Sequence, residues 1–142
     1  MGPGYDDDYP TCARTYATLR IYPGLLDPAI VTERLGLDPS GVQRVSDARQ
    51  AIGRRPGCVP LNGWFLSTKG LLKSKDTRRH LDLLLERIGP KKEALHSLRS
   101  EGARMDISCF WASEEGHGGP TISPAQMGML AELDLELWID LY

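Results

Sequence analysis

Four stretches of the chain alternate apolar and polar positions in steps of two. Ala17, Leu19 and Ile21 alternate with Thr18, Arg20 and Tyr22, and Trp64 and Leu66 alternate with Phe65 and Ser67. Met105, Ile107, Cys109 and Trp111 alternate with Arg104, Asp106, Ser108 and Phe110. Leu135, Leu137, Ile139 and Leu141 alternate with Glu136, Trp138, Asp140 and Tyr142. A strand sends successive side chains to opposite faces, so each stretch predicts a half-buried strand, over 15–22, 64–68, 104–111 and 135–142.

Between these runs the apolar spacing changes to three and four. Ile30, Val31 and Leu35 follow Asp27-Pro28, a cap residue plus a proline suited to the first helical position, and Gly36 supplies a stop. Leu81, Leu84, Leu85 and Ile88 follow a cap at Asp76 or Thr77. Gly89-Pro90 interrupts that helix, because proline lacks an amide and clashes with the preceding turn; Ala94, Leu95 and Leu98 carry a continuation that ends at Gly102. Ser123-Pro124 opens a last helix by the same device as Asp27-Pro28, with Met127, Leu130 and Leu133 expected to face inward.

The order is strand, helix, strand, broken helix, strand, helix, strand. Every strand has one apolar and one mixed face, whereas a parallel sheet covered on both sides needs strands that are apolar throughout. The expected architecture is therefore α+β: a ferredoxin-like, four-stranded antiparallel sheet with helices on one face. The domain spans 15–142, and 1–14, with its Asp6-Asp7-Asp8 run, is expected as a flexible acidic N-terminal tail. The segment 38–62, carrying Arg44, Arg49, Arg54 and Arg55, is the least regular part and reads as a long exposed connection with a short extended piece around 42–45.

Composition narrows the function classes. A net charge of -2 over 142 residues supplies no basic excess for a polyanion. The three cysteines, Cys12, Cys58 and Cys109, are widely spaced and never form a C-x-x-C pair, which argues against a disulfide framework and a four-thiolate zinc site. No apolar run approaches the ~20 residues that span a bilayer, and the acidic start lacks the basic and apolar regions of a secretory signal. The expectation is a cytoplasmic protein with reduced thiols.

The ordered set of motifs resembles the bacterial family known as domain of unknown function 4279. The likeness rests on Leu19-Arg20-Ile21-Tyr22 with Leu26-Asp27-Pro28, Gly63-Trp64-Phe65-Leu66-Ser67, the leucines of 81–85, and Pro90-Lys91-Lys92-Glu93-Ala94-Leu95. It continues through Ile107-Ser108-Cys109-Phe110-Trp111, Gly118-Gly119-Pro120 with Ile122-Ser123-Pro124, and the closing Leu137-Trp138-Ile139-Asp140-Leu141-Tyr142. The resemblance covers the chain from about residue 15 onward. It implies a compact α/β domain in bacteria, and brings no catalytic residue and no cofactor.

Candidate chemistry is sparse. His80, His96 and His117 fall into no metal-ligand spacing, so solvated or capping histidines are expected and no metal is assigned. Cys109 lies on an apolar strand face, where a thiol behaves as a small hydrophobe; no catalytic residue is assigned. The loop 114–119 joins Glu114, Glu115, His117 and Gly118 between a strand end and a helix start. It offers a small-ligand or hydrolytic site with Trp64 or Trp111 nearby, against the simpler reading of a tight turn that needs glycine. The leading candidate is the helix-free sheet face: Arg20, Tyr22, Phe65, Asp106, Phe110, Glu136, Trp138 and Asp140. Exposed aromatics ringed by charge suit a protein partner or a second copy of the chain. Single-stranded RNA readers also use sheet aromatics, but Asp106, Glu136 and Asp140 would oppose phosphates, so no nucleic acid is assigned.

Overall fold

The computed structural model describes residues 4–45 and 61–142. Arg49, Arg54, Arg55 and Cys58 lie outside the described residues. The chain forms β1 (Cys12–Tyr22), α1 (Pro28–Leu35), β2 (Gly41–Gln43), β3 (Gly63–Ser67), α2 (Thr77–Ile88), a 3-10 turn (Gly89–Lys91), α3 (Lys92–Ser100), β4 (Arg104–Ser113), α4 (Pro124–Glu132) and β5 (Glu136–Leu141).

Local chemistry sets the helix limits. Asp27 accepts from the amide of Ala29 at 2.8 Å, and Gly36, at φ 64°, closes α1 by donating to the Thr32 carbonyl. Asp76 caps α2 by accepting from the Arg78 amide at 3.0 Å. At Pro90 the chain passes through a single 3-10 turn and resumes as α3. α3 ends with Gly102 left-handed at φ 100°, and Ala103 donates back to the Leu98 carbonyl. α4 ends the same way, but Asp134 takes the glycine's place at φ 56°. Leu135 donates to the Leu130 carbonyl, and Arg99 donates to the carbonyls of Leu133 and Asp134, both at 2.9 Å, so the bend is fixed from two sides.

The strands lie in the order β2-β3-β1-β4-β5. β1 is central and antiparallel to both β3 and β4, with Leu19 opposite Leu66 and Ile107; β2 is antiparallel to β3. β3 and β4 therefore run the same way on either side of β1, joined over it by α2 and α3; this is a single split unit, not the two interlocking units of the ferredoxin-like sheet expected from the sequence. Two further points of the expected fold are corrected. There is a fifth strand, β2, and the sheet is mixed, because β5 runs parallel to β4. Parallel neighbours need a crossover connection, and α4 supplies it: the chain leaves β4, returns along α4 and enters β5 in the direction of β4. No strand lies between β4 and β5, unlike β3 and β4.

One core holds the layers together. Ala17, Leu19, Ile21, Trp64, Leu66, Ile107 and Cys109 from the strands pack with residues of every helix, including Val31 and Leu35, Leu81, Leu84, Leu85 and Ile88, Leu95, Leu98 and Leu130. Leu19, Ile107 and Ile139 thus point toward the helices, and the helices share one face of the sheet. Met127, expected inward, is instead 53% exposed, while Leu130 and Leu133 are buried. β1 begins at Cys12, inside the segment expected as a free tail. Residues just before it carry specific contacts: the Asp6 amide donates to Asp76 at 2.8 Å, Asp7 holds Ser74 and Arg79, and Tyr9 Oη donates to the Gly119 carbonyl at 2.7 Å. Among the described residues, no helix is long and apolar enough to cross a membrane.

Candidate partner-binding face

The even-numbered positions of β1 from Arg14 onward, those of β4 and β5, and the odd-numbered positions of β3 form the helix-free face; Cys12, ahead of a register shift, is buried. The ladder brings them into ranks. Tyr16 lies opposite Phe110, Thr18 opposite Ser108 and Ser67, and Arg20 opposite Asp106 and Phe65. β5 adds Trp138 beside Ser108 and Asp140 beside Phe110. Arg20, Tyr22, Phe65, Asp106, Phe110, Trp138 and Asp140 therefore share one continuous surface. Trp138 and Tyr142 are its most open aromatics, Trp138 at 48% exposure; Tyr16, Tyr22, Phe65 and Phe110 are half-buried. The N-terminal segment 4–11 does not cover it, because its contacts go to α2 and to residues 119–121.

Two sets of contacts hold these side chains in place. Across the rank nearest the end of β4, Tyr16 stacks on Phe110 with centroids 4.8 Å apart and planes 5° from parallel, and Tyr142 leans on the other side of Phe110 at 4.9 Å. Arg14 and Lys69 each approach the Tyr16 ring at 5.4 Å. Two ranks away, Arg20 grips Asp106 through both nitrogens, Nε at 2.8 Å and Nη2 at 2.6 Å, and its guanidinium lies 4.8 Å from the Trp138 ring centroid. The fork matches a carboxylate in shape, and the hydrogen bond to Asp106 raises the Arg20 pKa further. Tyr22 meets Phe65 edge-on at 5.8 Å, and Phe65 folds over Gly63, where a Cβ would come within 2.7 Å of the ring. The sequence alternation placed the named residues on this face. The alternation already carried Tyr142, and Tyr16 falls inside the 15–22 strand on the same parity as Phe110, but it did not reveal that the three rings stack.

The loop candidates behave differently. Glu114, His117 and Gly118 are all exposed, and the loop's polar backbone is used internally. Ser113 Oγ donates to the His117 carbonyl and accepts from the Gly116 amide, while the Glu114 amide donates to the Thr11 carbonyl. Gly116 and Gly118 have φ of 87° and 89°, as a tight turn demands. Trp64 and Trp111, suggested as companions of this loop, are both buried; Trp64 Nε1 donates to Thr32 and packs in the core.

Titratable groups elsewhere are structural in their surroundings. Cys109 is buried and its thiol is pushed up to about 12 by desolvation, so it is protonated at neutral pH. His80, expected as solvated or capping, is instead fully buried. Its Nε2 donates to the Ser74 carbonyl at 2.8 Å, so Nδ1 accepts from Thr68 Oγ1 at 2.7 Å. The available signal was its helical spacing from Thr77, Leu81 and Leu84, which puts it on the buried side of α2. Among the described residues, no group of three or more His, Cys, Asp or Glu side chains is placed to hold a metal ion. A groove of about 640 Å³ runs past Tyr22, Arg104, Asp106 and Glu136 at the margin of the face, with Arg99 and Asp134 behind it.

Compared with known proteins, the chain matches the model of one family, a domain of unknown function designated DUF4279, over residues 13–142. No curated protein matches it. No solved structure matches it.

Proposed function

We propose, from the premise that this chain belongs to the DUF4279 family, that it is a non-enzymatic bacterial cytoplasmic module that binds a protein partner through its helix-free sheet face, as an immunity-like or accessory protein would. The observation that carries this reading is the Tyr16–Phe110–Tyr142 stack set beside Trp138 and the Arg20–Asp106 pair. Aromatic and arginine side chains supply most of the energy at protein interfaces, and those already held by stacking lose little freedom on binding. Asp106 is neutralised by Arg20, whereas Glu136 and Asp140 leave the β5 side acidic, which favours a protein surface with basic groups over a phosphate backbone. The reading of loop 114–119 as a small-ligand or hydrolytic site has less support, because its glycines and Ser113 are occupied in making the turn.

The test is affinity capture from a bacterial lysate, comparing the wild-type chain with Phe110→Ala plus Trp138→Ala. Both side chains are at least partly exposed, so the variant should keep its unfolding temperature within a few degrees. Loss of a specific captured protein, with affinity reduced about tenfold or more, is expected for truncating central aromatic anchors. An unchanged set of captured proteins overturns the proposal.

A further inference from the structure

We infer that β5 is a self-complementary edge, through which two copies of this chain join their sheets about a two-fold axis at Ile139. The starting observation is the direction of the backbone groups. Tyr142 donates its amide to the Trp111 carbonyl at 3.0 Å and accepts from the Ser113 amide at 2.9 Å, so both of its groups face β4. Strand geometry alternates, so Glu136, Trp138 and Asp140 also turn their backbone groups to β4, and Leu137, Ile139 and Leu141 turn theirs outward. β5 is the last strand of the sheet among the described residues. Glu136–Leu141 contains no lysine, proline or bulge, and its two charges, Glu136 and Asp140, both lie on the open side of the sheet.

Self-complementarity fixes the register. With antiparallel strands and the axis at Ile139, Ile139 faces its own copy, and Leu137 faces Leu141 of the other copy. All three outward residues are then in positions that exchange paired hydrogen bonds. On the helix side, leucine and isoleucine meet leucine and isoleucine, covering a Leu141 side chain that is 61% exposed. On the open side Trp138 meets Asp140, and Glu136 meets Tyr142. Moving the axis to Trp138 sets Glu136 against Asp140, and moving it to Asp140 sets that carboxylate against itself; like charges directly opposite are destabilising. Axes at Leu137 or Leu141 avoid the clash but shorten the overlap. The axis stands perpendicular to the sheet, so both open faces remain uncovered and become one doubled surface. The inference does not depend on the partner-binding reading.

One edge strand buries less than a standard interface, so the dimer is expected to be weak. Sedimentation velocity of the full chain, from about 10 µM to about 1 mM, covers the range in which such small interfaces associate. A concentration-dependent monomer–dimer equilibrium is expected. Leu141→Pro removes an outward amide without touching the pairing to β4, as edge strands tolerate, and should raise the dimer dissociation constant about tenfold or more. Leu71→Ala, at an exposed position beyond β3 and away from β5, should leave it unchanged. In a background with Cys58→Ser and with Cys109→Ala, which removes the thiol lying beside position 139 on β4, Ile139→Cys should oxidise to a covalent dimer, because paired Cα atoms about 5.5 Å apart suit a disulfide. Leu137→Cys should not. A chain monomeric throughout, a dimer that survives Leu141→Pro or dissociates with Leu71→Ala, or crosslinking through residue 137 in place of 139 would each overturn the inference.

Discussion

His80 shows how burial decides the charge of a side chain. The Ala17 amide donates to Thr68 Oγ1, Thr68 donates to His80 Nδ1, and His80 Nε2 donates to the Ser74 carbonyl. A neutral imidazole completes this chain; a second ring proton would turn the Thr68 hydroxyl from Nδ1 at 2.7 Å to the more distant Ala17 carbonyl at 3.4 Å. Desolvation lowers the His80 pKa below the ordinary histidine value, despite the raising influence of the Ser74 bond. The unfolded chain therefore binds this proton more readily than the folded one. The stabilisation is complete above about pH 6.5 and is lost as pH falls from there through the lower folded value. Chemical denaturation between pH 8 and pH 5 should show that decline, and His80→Asn should flatten it while costing about 1–3 kcal/mol at neutral pH. Asp7 and Asp27, whose carboxyls are held below the usual range mainly by Arg79 and Arg44, lose their ion pairs only in more acidic solution, so the two windows separate.

The strands and helices themselves were largely legible, because their signals are local. Alternation located four strands to within a few residues, and Asp27, Asp76, Gly36 and Gly102 marked the helix ends that the structure confirms by hydrogen bonds. Pairing direction was not legible, since an alternating stretch reads the same whether its neighbour runs with it or against it. The parallel β4–β5 pair follows from α4 and from the bend at Asp134, a residue that gives no glycine signal. β2 was visible only as a short extended piece near 42–45, and three residues carry too little pattern to assign a sheet. Of the candidate site, the face was legible and the stacking was not, because contact between Tyr16 and Phe110 depends on register across a separation of 94 residues. The loop after β4 offers a sharp check. Gly118 sits at φ 89° with a virtual Cβ only 2.6 Å from Thr11 Cβ. Gly118→Ala meets strain and collision together, and should lower unfolding free energy by about 1–3 kcal/mol. Unchanged stability by denaturant titration would show that the loop and Thr11 separate freely.

The acidic N-terminal segment bears on the assembled domain as a clasp over one end of the core. Tyr5 contacts Asp82 and stacks under Arg79 at 4.2 Å, Asp6 and Asp7 engage Asp76, Ser74, Lys75 and Arg79, and Tyr9 packs against Trp111 with centroids 6.5 Å apart. Asp82 in turn accepts from Gln126, which joins the clasp to α4. Deleting residues 1–10 should open this end to water, lower the melting temperature by about 5–10 °C, and move the His80 pKa up toward its ordinary value by NMR titration. An unmoved His80 titration would mean that the core, not the clasp, keeps water out. The central place of β1 has a temporal consequence. This strand is synthesised well before its main partner, since its longest ladder, with β4, joins residues 12–22 to residues 104–113. A growing chain on the ribosome must hold an apolar strand unmatched on that flank until β4 has emerged. Closure of so large a loop makes folding slow for the size of the domain. In the interval Leu19 and Ile21 are the surface a chaperone would meet.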